Sequence, residues 1–144
     1  MTFKNSAVED LVEKKRNPKV AIVGAGMSGI LAAIKMQEAG ISDITIFEKG
    51  EDIGGTWRDN RYPGLSCDVP AHLYTYSFAP NPEYSHRYAR GAEIHAYFKR
   101  VAKEFGVYEK VRFNSKLDKS EYKDGKWSLW LASGEKEVYD IVIC

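Results

Sequence analysis

Lys19-Val20-Ala21-Ile22-Val23-Gly24-Ala25-Gly26-Met27-Ser28-Gly29 decides the fold. Its first five residues are a short β-branched run of the kind a parallel strand covered on both faces requires, and the run ends at Gly24. The spacing predicts a helix over 28–39, where Ile30, Leu31, Ile34 and Met36 mix with the good helix formers Ala32 and Ala33. Gly40 stands where a left-handed cap closes such a helix. Ile44-Thr45-Ile46-Phe47-Glu48 then supplies a second strand. Lys19 to Glu48 spans about 30 residues, the length of one βαβ unit, whose crossover is expected to be right-handed.

The pattern GxGxxG at Gly24, Gly26 and Gly29 is common by chance, and its context gives it meaning. It follows a buried-type strand, opens a helix, and has Glu48 placed 19 residues past Gly29 at the end of the next strand. Gly24 then makes the tight turn, Gly26 lets a diphosphate approach the backbone, and Gly29 lets the helix pack on the sheet. Free N–H groups and a partial positive charge at the helix start favour that diphosphate. Glu48 is expected to accept hydrogen bonds from an adenosine ribose and to repel a 2′-phosphate, which favours FAD or NAD over NADP at this first site.

Outward from this unit the alternation stops. Residues 50–90 hold four of the five prolines, four glycines and five of the nine tyrosines, without sustained periodicity. A loop region of that length and aromatic content reads as a structured, functional excursion. Ile94, Phe98, Val101, Ala102 and Phe105 restore helical spacing, with Gly106 as the stop. The tail reads as antiparallel: a strand over 111–117, a turn at Asp124-Gly125, Trp127, Leu129 and Leu131 sharing one face, a turn at Ser133-Gly134, and a strand over 138–143. The last strand breaks off at Cys144, so the sequence reads as the N-terminal piece of something longer. The expected organisation is a polar leader over 1–17 and one α/β Rossmann-like domain over 18–144, a parallel sheet with a small antiparallel meander.

The chain of 144 residues has the size of a single domain. Its 21 basic and 20 acidic residues nearly cancel, which leaves no basic surplus for a nucleic acid. No apolar run approaches the roughly 20 residues of a membrane span, and no secretory core stands at the N-terminus. Cys67 and Cys144 form neither a CxxC pair nor a metal cluster, so no disulfide framework or metal site is expected, and the cytoplasm is the expected compartment.

Glu48 leads within six residues to a second glycine pair, Gly54-Gly55, followed by Thr56-Trp57. A plain NAD-binding half would run on into another helix instead, so FAD is favoured. The stretch from Gly54 to Asp68, GGTWRDNRYPGLSCD, closely resembles the motif of class B flavoprotein monooxygenases of Baeyer–Villiger type: a small residue, Gly, any residue, Trp, four residues, an aromatic, Pro-Gly, three residues and Asp. The similarity runs on through Tyr74-Thr75-Tyr76-Ser77-Phe78.

The resemblance implies that Gly24, Ala25, Gly26, Ser28, Gly29, Glu48 and Lys49 hold the ADP half of FAD. Gly55, Thr56, Trp57, Tyr62, Ser66, Cys67 and Tyr74 would lie along the flavin half, and the Leu117 backbone would meet the adenine. Asp68 would lie beside the flavin as the catalytic carboxylate, pairing with an arginine from a later segment and helping to position the nicotinamide of NADPH. The implied chemistry is oxidation of a small-molecule ketone, or of a heteroatom, by O2 through a peroxyflavin. This chain carries neither a second GxGxxG for NADPH nor the family's later signature, so it is not expected to catalyse the reaction alone. The rivals are an N- or S-oxidising flavin monooxygenase and a non-catalytic cofactor-binding fragment. His72, His86 and His95 read as ordinary histidines, Arg58, Arg61, Arg87 and Arg90 as solvated arginines, and Cys67 as no nucleophile.

Overall fold

Strand β1 (Val20–Val23) is the centre of the molecule because its side chains are apolar on both faces. In the computed structural model, which describes residues 17–144, Val20 and Ile22 point into one hydrophobic cluster and Ala21 into another. Period-2 alternation along a doubly covered strand has this result. Helix α1 (Met27–Glu38) contributes Ile30, Ala33 and Ile34 to the first cluster, ends at Ala39, and turns out through Gly40 at φ +83°. Strand β2 (Ile44–Phe47) lies parallel to β1, sending Ile44 and Ile46 to the helical side and Phe47 to the other.

The excursion that follows is ordered. It contains one short helix, α2 (Thr56–Asp59), a 3₁₀ turn at Ala71–Leu73, and bridges pairing Ser66 with Arg90 and Tyr76 with Ala79. The Tyr97 hydroxyl anchors it: it accepts the Tyr76 N–H at 2.7 Å and donates to the Ala79 carbonyl at 2.8 Å. Tyr97 lies on α3 (Gly91–Glu104), which buries Ile94, Phe98, Val101 and Ala102 in the first cluster and stops at Gly106, φ +63°. The helix starts three residues before its first expected apolar residue, Ile94, where the Glu93 carboxylate accepts the Arg90 N–H at 3.2 Å.

The tail departs from the antiparallel expectation at two points. What reads as one strand over 111–117 is two: β3 (Val111–Arg112) pairs parallel with β2, and β4 (Leu117–Lys123) belongs to a separate sheet. Asn114, at φ +52°, breaks the run, and the Asn114 and Ser115 N–H groups tie the bend to the Gly50 and Glu48 carbonyls. Likewise 138–143 divides at Asp140. β5 (Lys126–Leu131) and β6 (Lys136–Tyr139) complete the antiparallel meander, whereas β7 (Ile141–Ile143) lies parallel to β1. The Asp140 carboxylate accepts the Lys19 N–H at 2.8 Å, and the Asp140 N–H donates back to the Lys19 carbonyl, which fixes the crossing from one layer to the next.

The result has three layers. Helices cover one face of a parallel sheet of order β3-β2-β1-β7, and the meander β4-β5-β6 covers the other through Leu129, Leu131 and Tyr139. The fold class expected from the sequence is the one observed. Of the leader over 1–17, only Asn17 lies within the described residues; its side chain accepts the Ser42 N–H at 2.9 Å and so joins it to the domain edge. Among the described residues no helix is long and apolar enough to cross a membrane.

Candidate dinucleotide groove

At the carboxyl ends of β1 and β2 two adjoining cavities, of ≈ 340 and ≈ 460 Å³, share Val23, Gly24, Gly26, Gly55 and Thr56 and form one groove. Ligands of open α/β sheets collect at such strand ends, where the chain turns to opposite sides of the sheet. Gly24 turns out of β1 at φ +92°. A Cβ on Gly29 would stand 2.0 Å from the Gly24 carbonyl oxygen, so only glycine lets α1 start this close to the strand. The second glycine pair folds back on the first. The Gly54 N–H donates to the Ala25 carbonyl at 2.9 Å, and a Cβ on Gly55, itself at φ +52°, would lie 3.1 Å from the Gly26 Cα. Two backbone segments without side chains thus form the narrow middle of the groove.

Trp57 and Tyr74 close one end. Their rings pack edge to face, 5.6 Å apart, and the Trp57 indole N–H donates to the Tyr74 hydroxyl at 3.1 Å. Ser115, Lys116 and Leu117 lie at the other, brought there by the bend at Asn114. Glu48 and Lys49 line the same end, and Glu48 is only 3% exposed. Its Oε2 accepts the Ala25 N–H at 2.8 Å; its Oε1 accepts the Gly50 N–H at 2.8 Å and the Arg58 guanidinium at 2.8 Å. Each carboxylate oxygen can accept about two hydrogen bonds, so Oε1 is full and Oε2 keeps one position for a ligand hydroxyl. Arg58, 7% exposed, also pairs with Asp59 at 2.8 Å and meets the Asp52 carbonyl.

Burial works to raise the Glu48 pKa, yet the Ala25 and Gly50 N–H groups and the Arg58 charge together hold it below the usual carboxylate range. Asp52 behaves alike: burial is outweighed by Lys99, Tyr108 and the Ile53 N–H. Both carboxyls have depressed folded-state pKa values, so their stabilisation is complete above the unfolded-state values of 4.5 and 3.8 and disappears as pH falls through the folded ones. The urea midpoint is therefore expected to hold steady down to about pH 5 and to fall steeply below about pH 4. A midpoint that stays level to about pH 3 would contradict these pairings.

Residues 22–100 match the family of NAD(P)-binding Rossmann-like domains. The chain belongs to this family. Its curated relatives include monooxygenases. An uncharacterised monooxygenase of Mycobacterium tuberculosis is 48% identical over 128 residues, 89% of this chain and 26% of the relative. A Baeyer–Villiger monooxygenase of Streptomyces coelicolor is 46% identical over 99 residues, 69% of this chain and 19% of the relative. Among solved structures, the complex of OTEMO with FAD and NADP superposes with a TM-score of 0.78 at 31% identity, over 84% of this chain and 24% of that one. The chain thus spans about a quarter of the length of such relatives, and the resemblance read from the tryptophan motif is borne out.

Within the Rossmann-like domain the expected site residues divide. Gly24, Gly26, Ser28 and Gly29 line the groove from the first turn, Glu48 and Lys49 from the end of β2, and Gly55, Thr56, Trp57, Tyr74 and Leu117 from the later segments. Ala25 is buried behind it, its N–H committed to Glu48. Tyr62 and Ser66 line a different cavity. Cys67 is buried, with its Sγ 4.0 Å from Oδ1 of the exposed Asp68, and neither lines the groove. The expectation of a solvated arginine fails at Arg58, because a buried Glu48 demands a cation and the one-turn helix α2 carries Arg58 to it. His95 also does more than expected: its Nε2 hydrogen-bonds the Ile53 carbonyl at 2.9 Å, and its ring fills the space a side chain at Gly54 would take. No local pattern distinguishes either residue; the hint available was the acid at Glu48, which requires a partner once buried.

Proposed function

We propose that this chain is the FAD-binding portion of an NADPH-dependent flavoprotein monooxygenase that converts ketones to esters or lactones. The observation that carries the reading is the contact of the two glycine segments, Gly26 against Gly55, in a groove with a carboxylate at one end and an aromatic pair at the other. A long dinucleotide needs this shape: an acceptor for a ribose hydroxyl, bare backbone beside its diphosphate, and a flat wall for its ring system. The relatives include a Baeyer–Villiger monooxygenase and a structure solved with FAD and NADP, which supports the same assignment.

Bound FAD, reduced by NADPH, would supply the oxygen chemistry. The residues of this chain supply position. Oε2 of Glu48 takes a ribose hydroxyl, and its negative charge opposes a 2′-phosphate. The N-terminus of α1, without a side-chain cap, offers backbone N–H groups to the diphosphate. Thr56 and the Trp57–Tyr74 pair wall the flavin half, and the Leu117 backbone meets the adenine. Asp68, exposed on the excursion, holds a cationic group of the nicotinamide site. We place residues 18–144 in one domain of a longer cytoplasmic enzyme whose substrates are a small ketone and O2; the free thiols of Cys67 and Cys144 accord with that compartment.

Gly26→Leu tests the groove directly. A Cβ there already touches the Gly55 Cα at 3.7 Å, so a larger side chain must turn into the space of the diphosphate. FAD affinity, followed by flavin absorbance retained through gel filtration, is expected to fall more than about 100-fold, equivalent to about 3 kcal/mol. Flavin content equal to that of the unsubstituted chain would refute the placement.

A further inference from the structure

Trp57 is common to the groove and to a larger cavity of ≈ 800 Å³. In a chain with 20 acidic and 21 basic residues, this cavity is lined by three arginines and two histidines and by no aspartate or glutamate. Arg58 is committed to Glu48 and Asp59. Arg61 and Arg90 are not: Arg61 donates its Nε to the Arg58 carbonyl at 3.2 Å, and among the described residues the Arg90 guanidinium meets His86 Nε2, at 3.4 Å. Neither has a carboxylate partner among the described ion pairs. Glu93, the acid beside this rim, is taken up by the Ser85 and Arg90 N–H groups.

The walls are flat and apolar, from Trp57, Leu65, Tyr62 and Tyr88, the last two 60% and 45% exposed. The 14-residue helix α3 opens on the cavity through Gly91 and Ala92. Its floor is fixed: the Gly91 N–H donates to the Leu65 carbonyl at 3.0 Å, and a Cβ at Gly91 would lie 2.5 Å from the Leu65 side chain. Two guanidinium groups with no carboxylate at ion-pair distance among the described residues, Arg61 feeling Asp59 only at longer range, together with aromatic surfaces and a fixed floor, are the chemistry that recognises an organic anion.

We infer that this cavity binds a small organic anion, its carboxylate or phosphate held by Arg61 and Arg90 and its flat body resting on Trp57, Tyr62 and Tyr88. Because Trp57 also walls the groove, the inference deepens the reading above and rests on it for one point: the oxidisable substrate of the intact enzyme carries a negative charge at one end. The binding site itself stands on the cavity alone.

The test uses 2-naphthoate, its neutral counterpart 2-naphthamide, and inorganic phosphate, titrated calorimetrically into the chain while the Trp57 indole N–H is followed by NMR. Naphthoate is expected to bind about 10-fold tighter than naphthamide and to move the Trp57 resonance. Arg61→Gln and Arg90→Gln are each expected to erase most of that preference and leave FAD uptake unchanged. Equal affinity for the amide, or a preference that survives both substitutions, overturns the site. Displacement of naphthoate by an equal concentration of phosphate overturns the role given to the aromatic walls. A chain that prefers naphthoate yet takes up no FAD refutes the flavin reading and not this one; FAD uptake without the preference does the reverse.

Discussion

Alanine at Gly29 is expected to destabilise the domain by about 3 kcal/mol or more, at the upper end of what overpacking costs. The added carbon would lie 2.0 Å from the Gly24 carbonyl oxygen, 3.1 Å from the carbonyl carbon behind it and 3.5 Å from the Ile22 side chain. None of the first two atoms can rotate away, because they are the backbone of the first glycine turn. Relief requires α1 to move off the sheet, which would pull Ile30, Ala33 and Ile34 from their cluster and widen the groove. Urea unfolding would report the loss, and FAD uptake should vanish with it. A midpoint unchanged from that of the parent chain would show that α1 does not sit this close to β1.

Arg58→Met is expected to cost about 3–5 kcal/mol, the usual penalty for leaving a buried charge without its partner. Methionine keeps most of the apolar contact, so the loss measures the charge on Glu48, which is 3% exposed and would retain only the Ala25 and Gly50 N–H groups. Adding Glu48→Gln to Arg58→Met should restore a good part of the stability, since a neutral amide is far cheaper to bury. A single substitution that costs less than about 1 kcal/mol, or a double variant worse than the sum of its parts, would remove Arg58 from this role.

The βαβ unit and its glycines are readable from the sequence because each depends on a local rule: a doubly buried strand is continuous in apolar residues, a helix shows its period, a positive φ favours glycine, and a 2.0 Å approach admits nothing else. The divisions within the tail follow no such rule. Val111-Arg112 is too short to show a period, Ile141–Ile143 runs on from Val138-Tyr139 with one residue between, and their parallel partners are chosen by the bend at Asn114 and the crossing at Asp140. Both are tertiary events, fixed by hydrogen bonds to residues far away in sequence. The groove's composition follows the same division. Glu48 could be placed from its spacing, but the cation that neutralises it arrives on a one-turn helix inside an aperiodic stretch. Tyr62 and Ser66 share a motif with Trp57, yet the chain carries them past that ring into the neighbouring cavity.

The crossing at Asp140 also bears on how the chain matures. Lys19 and Asp140 are 121 positions apart, and the pairing of β7 with β1 spans a similar interval. A ribosome emitting roughly 5–20 residues per second would deliver β1, α1 and β2 several seconds before β7 appears. Through that interval the middle strand of the parallel sheet has one flank unsatisfied, which is the condition that invites wrong pairings between nascent copies. The antiparallel meander, emerging just ahead of β7, is complete from near neighbours alone and can shield Ala21 and Phe47 first.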